Sequence, residues 1–182
     1  MVTEKSALEM LEKHWDSADY ETATKDAEDK ESAAAMIRTF LQMQKDSKGT
    51  IRDLEKWVVL DLDGKHSVRG KVDRIDEIVG GLRIIDYKTG KTVISKNKLN
   101  ENLQMALYTL AVGVNEGKSV LECGHWYPHS GKKVMTTFAA EELDTIKKEV
   151  IVMIHDIEAG KFETGEGNCY QCDYKGVCGR EE

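Results

Sequence analysis

Hydrophobic and polar positions recur with two different periods along the chain, and the change of period separates helical segments from strands. Helical spacing predicts a first helix from the capping box Ser6-Ala-Leu-Glu9 to about Trp15 and a second over about 21–44. From Asp53 the pattern changes to short β-rich runs with a DGK turn and a second turn at Gly80-Gly81. These runs predict an antiparallel meander of three strands.

Helical spacing returns after the meander. It predicts a helix near 99–115, two strands in SVLECGHWYP and KKVMTTF, and a last helix over about 140–159. The order ααβββαββα predicts an α+β fold in which helices flank a central mixed sheet. We expect one domain over 1–182, with a helical lobe (1–48), a core (49–160) and a cysteine-bearing tail (161–182).

Composition and charge narrow the possible functions. A chain of 182 residues with 40% hydrophobic residues fits one globular domain. The formal net charge of −7 argues against non-specific wrapping of nucleic acid, but Lys88 to Lys98 contains four lysines and no acid. No apolar run approaches the roughly 18 residues of a membrane span, and the N-terminus lacks a signal-peptide pattern, so we expect a cytoplasmic protein.

The hairpin in GKVDRIDEIVGGLRIIDYKTGK places three charged residues in otherwise apolar strands. If Gly80 and Gly81 are the central turn residues, Asp73 faces Lys88, and Asp86 shares their face of the sheet because side chains alternate. Facing side chains lie roughly 5 Å apart and diagonal ones roughly 7–8 Å. The three charged groups are therefore expected to converge on one patch.

Two interpretations of this patch are open. It can be a structural ion pair with one spare acid. Alternatively, the two carboxylates hold Mg²⁺ or Mn²⁺, which prefer oxygen ligands, and Lys88 contacts the attacking water or the phosphate. A metal so placed would activate water and offset charge on a phosphodiester. The second interpretation predicts phosphodiester hydrolysis.

Four motifs in this order resemble one known family. GKVDRID, IIDYKTG, LQMALYTLAV and the C-x2-C-x5-C spacing near the end together resemble the RecB-like nucleases of the PD-(D/E)XK superfamily, over roughly 50–180. Members occur as C-terminal domains of DNA repair helicases and in CRISPR-associated exonucleases. The resemblance implies a restriction-endonuclease-like fold and a Mg²⁺- or Mn²⁺-dependent DNA exonuclease, with DNA and a helicase domain or subunit as partners.

The resemblance also implies roles for individual residues. Asp73 and Asp86 match the metal-binding acids, Lys88 matches the catalytic lysine, and Tyr87 would offer its main-chain carbonyl to the metal. Gln104 and Tyr108 match a Q-x3-Y signature whose i, i+4 spacing puts both on one helical face, on the DNA side. The segment from Lys88 to Lys98 is called the basic loop below, and among its lysines we expect Lys91 to contact phosphate.

Three cysteines in the tail predict a metal or cluster site. Cys169, Cys172 and Cys178 match the last three ligands of the four-cysteine 4Fe–4S cluster in the iron–sulfur branch of the family. A zinc site is the alternative and would need a fourth ligand such as His129, His155 or Cys123. Cys123 itself is expected to be a buried core thiol.

Two features that the resemblance leads us to expect are missing from the sequence: a first cluster cysteine upstream of the nuclease core and a metal-binding histidine on an early helix. No cysteine precedes Cys123, and the only early histidine, His14, has a poorly matching context. The expectation is that the chain is a fragment whose first segment was left out, so that cluster and metal site are each one ligand short. A nuclease-fold module that binds DNA or docks a partner without catalysis is the alternative function, and a nuclease acting on RNA is also open.

Other residues are assigned to packing or to the surface. His125 and His129 are expected to be surface or turn histidines, because Pro128 and the strand pattern exclude a shared helical face. Trp15, Trp57 and Trp126 are expected to be core or packing residues. Glu55 is expected to approach the site from the preceding strand.

Overall fold

The protein is described here by a computed structural model, which covers residues 2–161, 169–173 and 178. It is an α+β fold, as predicted, in which helices flank a five-stranded mixed sheet. The helices and strands are, in chain order, α1 (Glu4–His14), α2 (Ala23–Lys45), β1 (Thr50–Asp61), β2 (Ser67–Ile78), β3 (Gly81–Tyr87), α3 (Lys96–Asn100), α4 (Leu103–Glu116), β4 (Val120–Tyr127), β5 (Lys132–Thr136) and α5 (Ala140–Glu158).

The sheet has the strand order β1-β2-β3-β4-β5. All neighbouring pairs are antiparallel except β3 and β4, which are parallel. A parallel pair needs a long crossover connection, and α3 and α4 provide it. The predicted meander and the mixed sheet are therefore both confirmed.

Apolar side chains fill both faces of the sheet. On one face, residues such as Ile75, Leu82 and Ile84 pack with Met105 and Val112 of α4 and with α5. On the other face, a smaller group contains Met43 of α2, Ile85 and Trp126. Burial of each such side chain contributes roughly 1.5–3 kcal/mol to the free energy of folding. The sheet is thus held between two layers, and its central strand β3 is buried along most of its length.

The β2–β3 turn differs from the prediction by one position. Ile78 pairs with Gly81, so the central turn residues are Val79 and Gly80, not Gly80 and Gly81. Gly80 has φ 88°, a conformation that favours glycine. A Cβ on Gly81 would lie 2.4 Å from the carbonyl oxygen of Ser119, so Gly81 is needed for close packing rather than for the turn.

Two helix boundaries also differ from the prediction. The first helix is capped by Thr3 and forms its capping box with Ser6, whereas Ser6 itself was expected to be the cap. The helix expected near 99–115 is two helices, because Asn102 caps a new one through its side chain and the N–H of Met105. Among the described residues, no helix is both long and apolar enough to cross a membrane.

Candidate active site

Asp73 of β2 and Asp86 of β3 lie opposite each other in the antiparallel pair. Arg74 pairs with Ile85, and continuing this register places the two acids face to face. The prediction that Asp73 faces Lys88 is therefore wrong by two residues. Because the shift is an even number, the expected convergence of the three charged groups on one face is kept.

The two acids influence each other electrostatically. Asp73 Oδ2 accepts a hydrogen bond of 2.8 Å from the Tyr87 N–H, which fixes the carboxylate against β3. Burial raises the pKa of Asp73, and the negative charges of Asp86 and Glu55 raise it further, against the opposite effects of the Tyr87 N–H and Lys88. Like charges directly opposite in a sheet are destabilising. The arrangement is therefore costly without a cation.

Lys88 follows directly after β3 and supplies one nearby cation. Its Nζ lies 2.7 Å from Asp86 Oδ2, while the Asp86 carboxylate is almost completely buried. This contact is an ion pair without hydrogen-bond geometry, and within the part of the chain that the structure describes Asp86 Oδ2 has no hydrogen-bond partner. Lys88 is partly exposed, so its ammonium group can contact both Asp86 and a molecule outside the protein.

His125 is a site residue that the sequence analysis assigned wrongly to the surface. It lies on β4 directly beside Asp86 in the parallel register and is only 3% exposed. Its Nε2 is 3.8 Å from Asp86 Oδ2, and among the described residues neither atom has a hydrogen-bond partner. Burial lowers the pKa of His125, which favours the neutral imidazole. His129, two residues beyond β4, is exposed as expected.

Two further groups orient the His125 ring. Its Nδ1 lies 3.2 Å from the Tyr127 hydroxyl, and that hydroxyl accepts a hydrogen bond of 3.4 Å from the Ile94 N–H. Ile94 belongs to the loop that follows Lys88. A histidine whose one ring nitrogen is held by a polar group presents the other nitrogen in a fixed direction. The Tyr127 hydroxyl thus connects the backbone of the basic loop to the His125 ring.

The donor set fits a divalent metal ion. Asp73 and Asp86 supply the carboxylate oxygens that Mg²⁺ and Mn²⁺ prefer, and their mutual repulsion would be offset by a cation between them. Buried polar atoms without a hydrogen-bond partner are rare in proteins. Among the described residues, His125 Nε2 is such an atom, and Asp86 Oδ2 beside it has only its ion pair with Lys88. Both would gain a partner on binding a metal ion.

Gln104 and Tyr108 lie on α4, one turn apart, and are hydrogen-bonded to each other at 3.2 Å. The Tyr108 hydroxyl also donates to the carbonyl oxygen of Lys71, two residues before Asp73, at 2.8 Å. The ring packs so closely on β2 that a Cβ on Gly70 would lie 2.5 Å from Tyr108 Cε1. The predicted pair is therefore attached to the strand that carries Asp73.

Glu55 approaches the acids from β1, as expected. Leu54 pairs with Arg74 and Lys56 with Val72, so Glu55 lies opposite Asp73. It is the only described non-glycine residue with positive φ, 51°, which is uncommon and costs free energy. Its carboxylate forms an ion pair with Lys71.

The side chain of Tyr87 points to the other face of the sheet and contacts α2. Its hydroxyl accepts hydrogen bonds from Arg74 Nη1 and Gln44 Nε2, each at 3.2 Å. Its ring packs edge-on against Phe40 at 5.4 Å between centroids. These contacts fix the backbone segment that donates to Asp73.

Of the remaining predicted residues, most lie at the surface, and Trp126 is buried. Lys91 is exposed in the loop after β3. Trp126 is buried, as expected, but Trp57 is 56% exposed on the edge strand β1, with the Arg69 guanidinium 4.2 Å from its ring centroid. Trp57 is therefore not a core residue. His14 is exposed on α1.

The cysteine predictions have different outcomes. Cys123 is a buried core thiol on β4, as expected. Cys169 and Cys178 are half-buried and Cys172 is exposed, but the residues between them lie largely outside the described part of the chain. Within the described part, the one group of three side chains spaced to hold a metal ion contains no cysteine, and it uses His155, which was proposed above as a zinc ligand for the tail.

The chain belongs to the PD-(D/E)XK nuclease superfamily. Residues 2–179 match the family PDDEXK_1, described as the PD-(D/E)XK nuclease superfamily. The chain is also 28% identical over 127 residues to the Gene 69 protein of Mycobacterium phage L5, covering 65% of this chain and 41% of that protein. A crystal structure of SSO0001 matches with a TM-score of 0.37 and 12% identity, over 98% of this chain and 97% of that one. The five-stranded mixed sheet flanked by helices agrees with the family's restriction-endonuclease-like fold.

Proposed function

We propose that the chain is a metal-dependent DNA nuclease domain of the RecB-like type that hydrolyses phosphodiester bonds as an exonuclease. The observation that carries the proposal is the pairing of Asp73 with Asp86, with Lys88 Nζ 2.7 Å from the second acid. A purely structural ion pair would need one acid and one base. The second carboxylate, held at a raised pKa by burial and by Asp86, is accounted for by a metal ion.

The proposed mechanism assigns a task to each side chain. Asp73 and Asp86 would hold Mg²⁺ or Mn²⁺ together with the main-chain carbonyl of Tyr87. When bound, the ion would supply the positive charge that activates water and offsets charge on the phosphate. Lys88 would donate a hydrogen bond to the attacking water or to a phosphate oxygen. Asp86 keeps the ammonium group of Lys88 in position through their ion pair.

The DNA side of the proposed site is formed by α4 and the basic loop. The hydrogen bond from Tyr108 to the carbonyl of Lys71 fixes the Gln104–Tyr108 pair relative to the acids. Lys91 lies three residues after Lys88 in the basic loop and is exposed, so its side chain can contact phosphate. Its contribution would be to affinity rather than to base recognition.

Further parts of the proposal concern the protein in which this domain acts. The match to the phage protein covers 41% of that protein's length, so this chain spans only part of the relative. We propose action in DNA repair or recombination together with a helicase domain or subunit. Cys169, Cys172 and Cys178 would ligate a 4Fe–4S cluster in the intact protein.

The test is digestion of labelled single- and double-stranded DNA in Mn²⁺ by the parent chain and by Asp86→Asn and Lys88→Ala variants. We expect each variant to lose roughly 10²–10³-fold in rate, the size of effect seen when a charge-stabilising group is removed. Lys161→Ala is the matched control, because Lys161 lies after the end of α5 and its ion pair with Asp156 is exposed. Cleavage that survives Asp86→Asn would refute the proposed site.

The same assay separates catalysis from binding alone. If the parent does not cut but retains DNA on a filter or in a gel shift, the non-catalytic alternative is supported. RNA of the same length tests the substrate class. Faster digestion of RNA than of DNA would correct the assignment to DNA while keeping the proposed catalytic residues.

A further inference from the structure

A second group of metal-binding side chains lies where the β1–β2 turn meets the end of α5. The turn itself is organised by Asp63, whose Oδ1 accepts hydrogen bonds from the N–H groups of Lys65 at 3.0 Å and His66 at 2.7 Å. This places the Asp63 and His66 side chains together, with Asp63 Oδ2 2.9 Å from His66 Nδ1. One acid and one imidazole are thus fixed by the local fold of the turn.

The last turn of α5 supplies a third candidate ligand, His155, and an acid that contacts His66. His155 and Glu158 are three residues apart and therefore lie on one helical face. Glu158 Oε1 is 3.2 Å from His66 Nε2, and the rings of His66 and His155 are 5.7 Å apart between centroids. The two segments meet although about 90 residues separate them in sequence.

One ligand atom from each of Asp63, His66 and His155 can be chosen so that all three lie within 4.8 Å of one another. Two imidazoles and a carboxylate are ligands that favour zinc and similar borderline transition-metal ions over Mg²⁺. Zinc is bound at about 2.0–2.2 Å by such groups, so the three ligand atoms would have to move closer together on binding.

We propose that Asp63, His66 and His155 form a binding site for Zn²⁺ or a similar transition-metal ion, separate from the Asp73–Asp86 site. Glu158, whose Oε1 is 2.8 Å from Lys65 Nζ and 3.2 Å from His66 Nε2, is placed to orient His66. The ion would cross-link the β1–β2 turn to the C-terminal end of α5, from which the chain continues towards the cysteine-bearing tail.

An ion-pair cluster is the simpler explanation of some of these contacts. Protonated His66 between Asp63 and Glu158 would account for both of its ring contacts, and these hydrogen bonds raise the pKa of His66. That explanation gives no role to His155, whose ring nitrogens make no hydrogen bond or ion pair within the described part of the chain. The two explanations therefore differ in what His155 contributes.

The experiment is calorimetric titration of Zn²⁺ into the 182-residue chain in which Cys169, Cys172 and Cys178 are replaced by serine, since thiolates would otherwise bind the ion. His155→Ala is the central variant, because His155 is exposed on a helix that tolerates alanine. We expect it to weaken one zinc-binding event by roughly tenfold or more. His129→Ala, at another exposed histidine, should change nothing.

Two further measurements make the outcome decisive. Asp86→Asn should leave the zinc-binding event that depends on His155 intact, so that zinc bound at the Asp73–Asp86 site is recognised separately. His155→Ala should leave Mg²⁺-dependent DNA cleavage unchanged. Zinc should raise the melting temperature of the chain with the three tail cysteines replaced and not that of its His155→Ala form, because the ion stabilises only the folded state. The proposal is overturned if the only zinc event is the one lost in Asp86→Asn, or if His155→Ala binds zinc unchanged.

Discussion

Asp86 and His125 lie side by side on the parallel strands β3 and β4, with Asp86 Oδ2 3.8 Å from His125 Nε2. Both atoms are buried and neither has a hydrogen-bond partner in the described part of the chain, although Asp86 Oδ2 forms an ion pair with Lys88. The separation of Oδ2 from Nε2 is too long for a hydrogen bond. A buried polar atom that loses its hydration without gaining a partner costs roughly 1–3 kcal/mol. An ion that both atoms contact removes this cost, which makes His125 a candidate ligand beside the two acids.

His125→Ala is therefore expected to lower Mn²⁺ affinity by roughly tenfold, because it removes a nitrogen next to Asp86. Tyr127→Phe should have a smaller effect, since it removes only the hydroxyl that orients the ring. Mn²⁺ binding can be followed by electron paramagnetic resonance of the free ion, with His129→Ala as the control. Unchanged affinity in His125→Ala would mean that the histidine is only a packing residue.

Asp73→Asn is expected to stabilise the metal-free protein at neutral pH by roughly 1 kcal/mol, the upper range for a facing side-chain pair in a sheet. Burial and the charge of Asp86 raise the pKa of Asp73, so the folded state favours its protonated form. This contribution to stability is fully present below the ordinary pKa of an aspartate and is lost as the pH rises through the raised value. Asparagine carries no charge and avoids this loss of stability, and its side-chain oxygen can still accept a hydrogen bond from the Tyr87 N–H.

Urea unfolding of both proteins in EDTA, repeated from pH 7 downwards, measures this effect. The advantage of Asp73→Asn should shrink as the pH falls through the raised pKa, since the parent then becomes neutral at this position. Adding Mn²⁺ should reverse the order, because only the parent keeps both acidic ligands. A variant that is less stable than the parent at pH 7 without metal would contradict the electrostatic argument.

The sequence was enough to predict which residues share a face of the β2–β3 hairpin, but not which strand lies beside it. Alternation along β2 and β3 brought Asp73, Asp86 and Lys88 together even though the turn was misplaced, because an even register shift preserves the face. The pairing of β3 with β4 depends on a crossover through α4 and has no local signal, so His125 was assigned to the surface. Strand patterns indicate which residues share a face within a hairpin, but not which distant strand will lie next to it.

The same limit applies to Trp57 and to the Asp63–His66–His155 group. A tryptophan in an apolar run is usually buried, but β1 is an edge strand, and its exposed face is decided by the position of the strand in the sheet. His66 and His155 are about 90 residues apart in the sequence, and only the packing of α5 near the β1–β2 turn brings them together. Conversely, the Q-x3-Y pair was predictable because its spacing is local to one helix.

Gly70→Ala tests how the Gln104–Tyr108 pair is positioned. The new methyl group would lie 2.5 Å from Tyr108 Cε1, so the ring must move, and overpacking of this kind typically costs about 1–3 kcal/mol. The movement should also break the hydrogen bond from Tyr108 to the Lys71 carbonyl. In a Tyr108→Ala background the same change should be close to neutral.

A double-mutant cycle from urea unfolding of the four proteins isolates this interaction. A substantial cost for Gly70→Ala that persists in the Tyr108→Ala background would show that the glycine is required for another reason. DNA affinity measured on the same proteins gives the functional counterpart. If Gln104 and Tyr108 form the DNA side, Gly70→Ala should weaken DNA binding without changing Mn²⁺ affinity.

Asp76→Ala tests the support on the opposite face of the sheet. Asp76 is completely buried and accepts hydrogen bonds from Arg74 Nη2 at 2.9 Å and from Arg83 Nη2 at 2.6 Å. Its removal leaves two largely buried guanidinium groups without their shared acid, and breaking a buried pair in this way typically costs about 3–5 kcal/mol. Asp156→Ala, whose ion pair with Lys161 is exposed, should cost less than about 1 kcal/mol.

The consequence should reach the candidate active site through Arg74. This side chain also donates to the Tyr87 hydroxyl, and the Tyr87 N–H in turn fixes Asp73. We therefore expect Asp76→Ala to reduce Mn²⁺ affinity even at temperatures where the variant is still folded by circular dichroism. Intact metal affinity in a folded but destabilised Asp76→Ala protein would show that the Arg74–Asp76–Arg83 network stabilises the sheet without positioning the two acids.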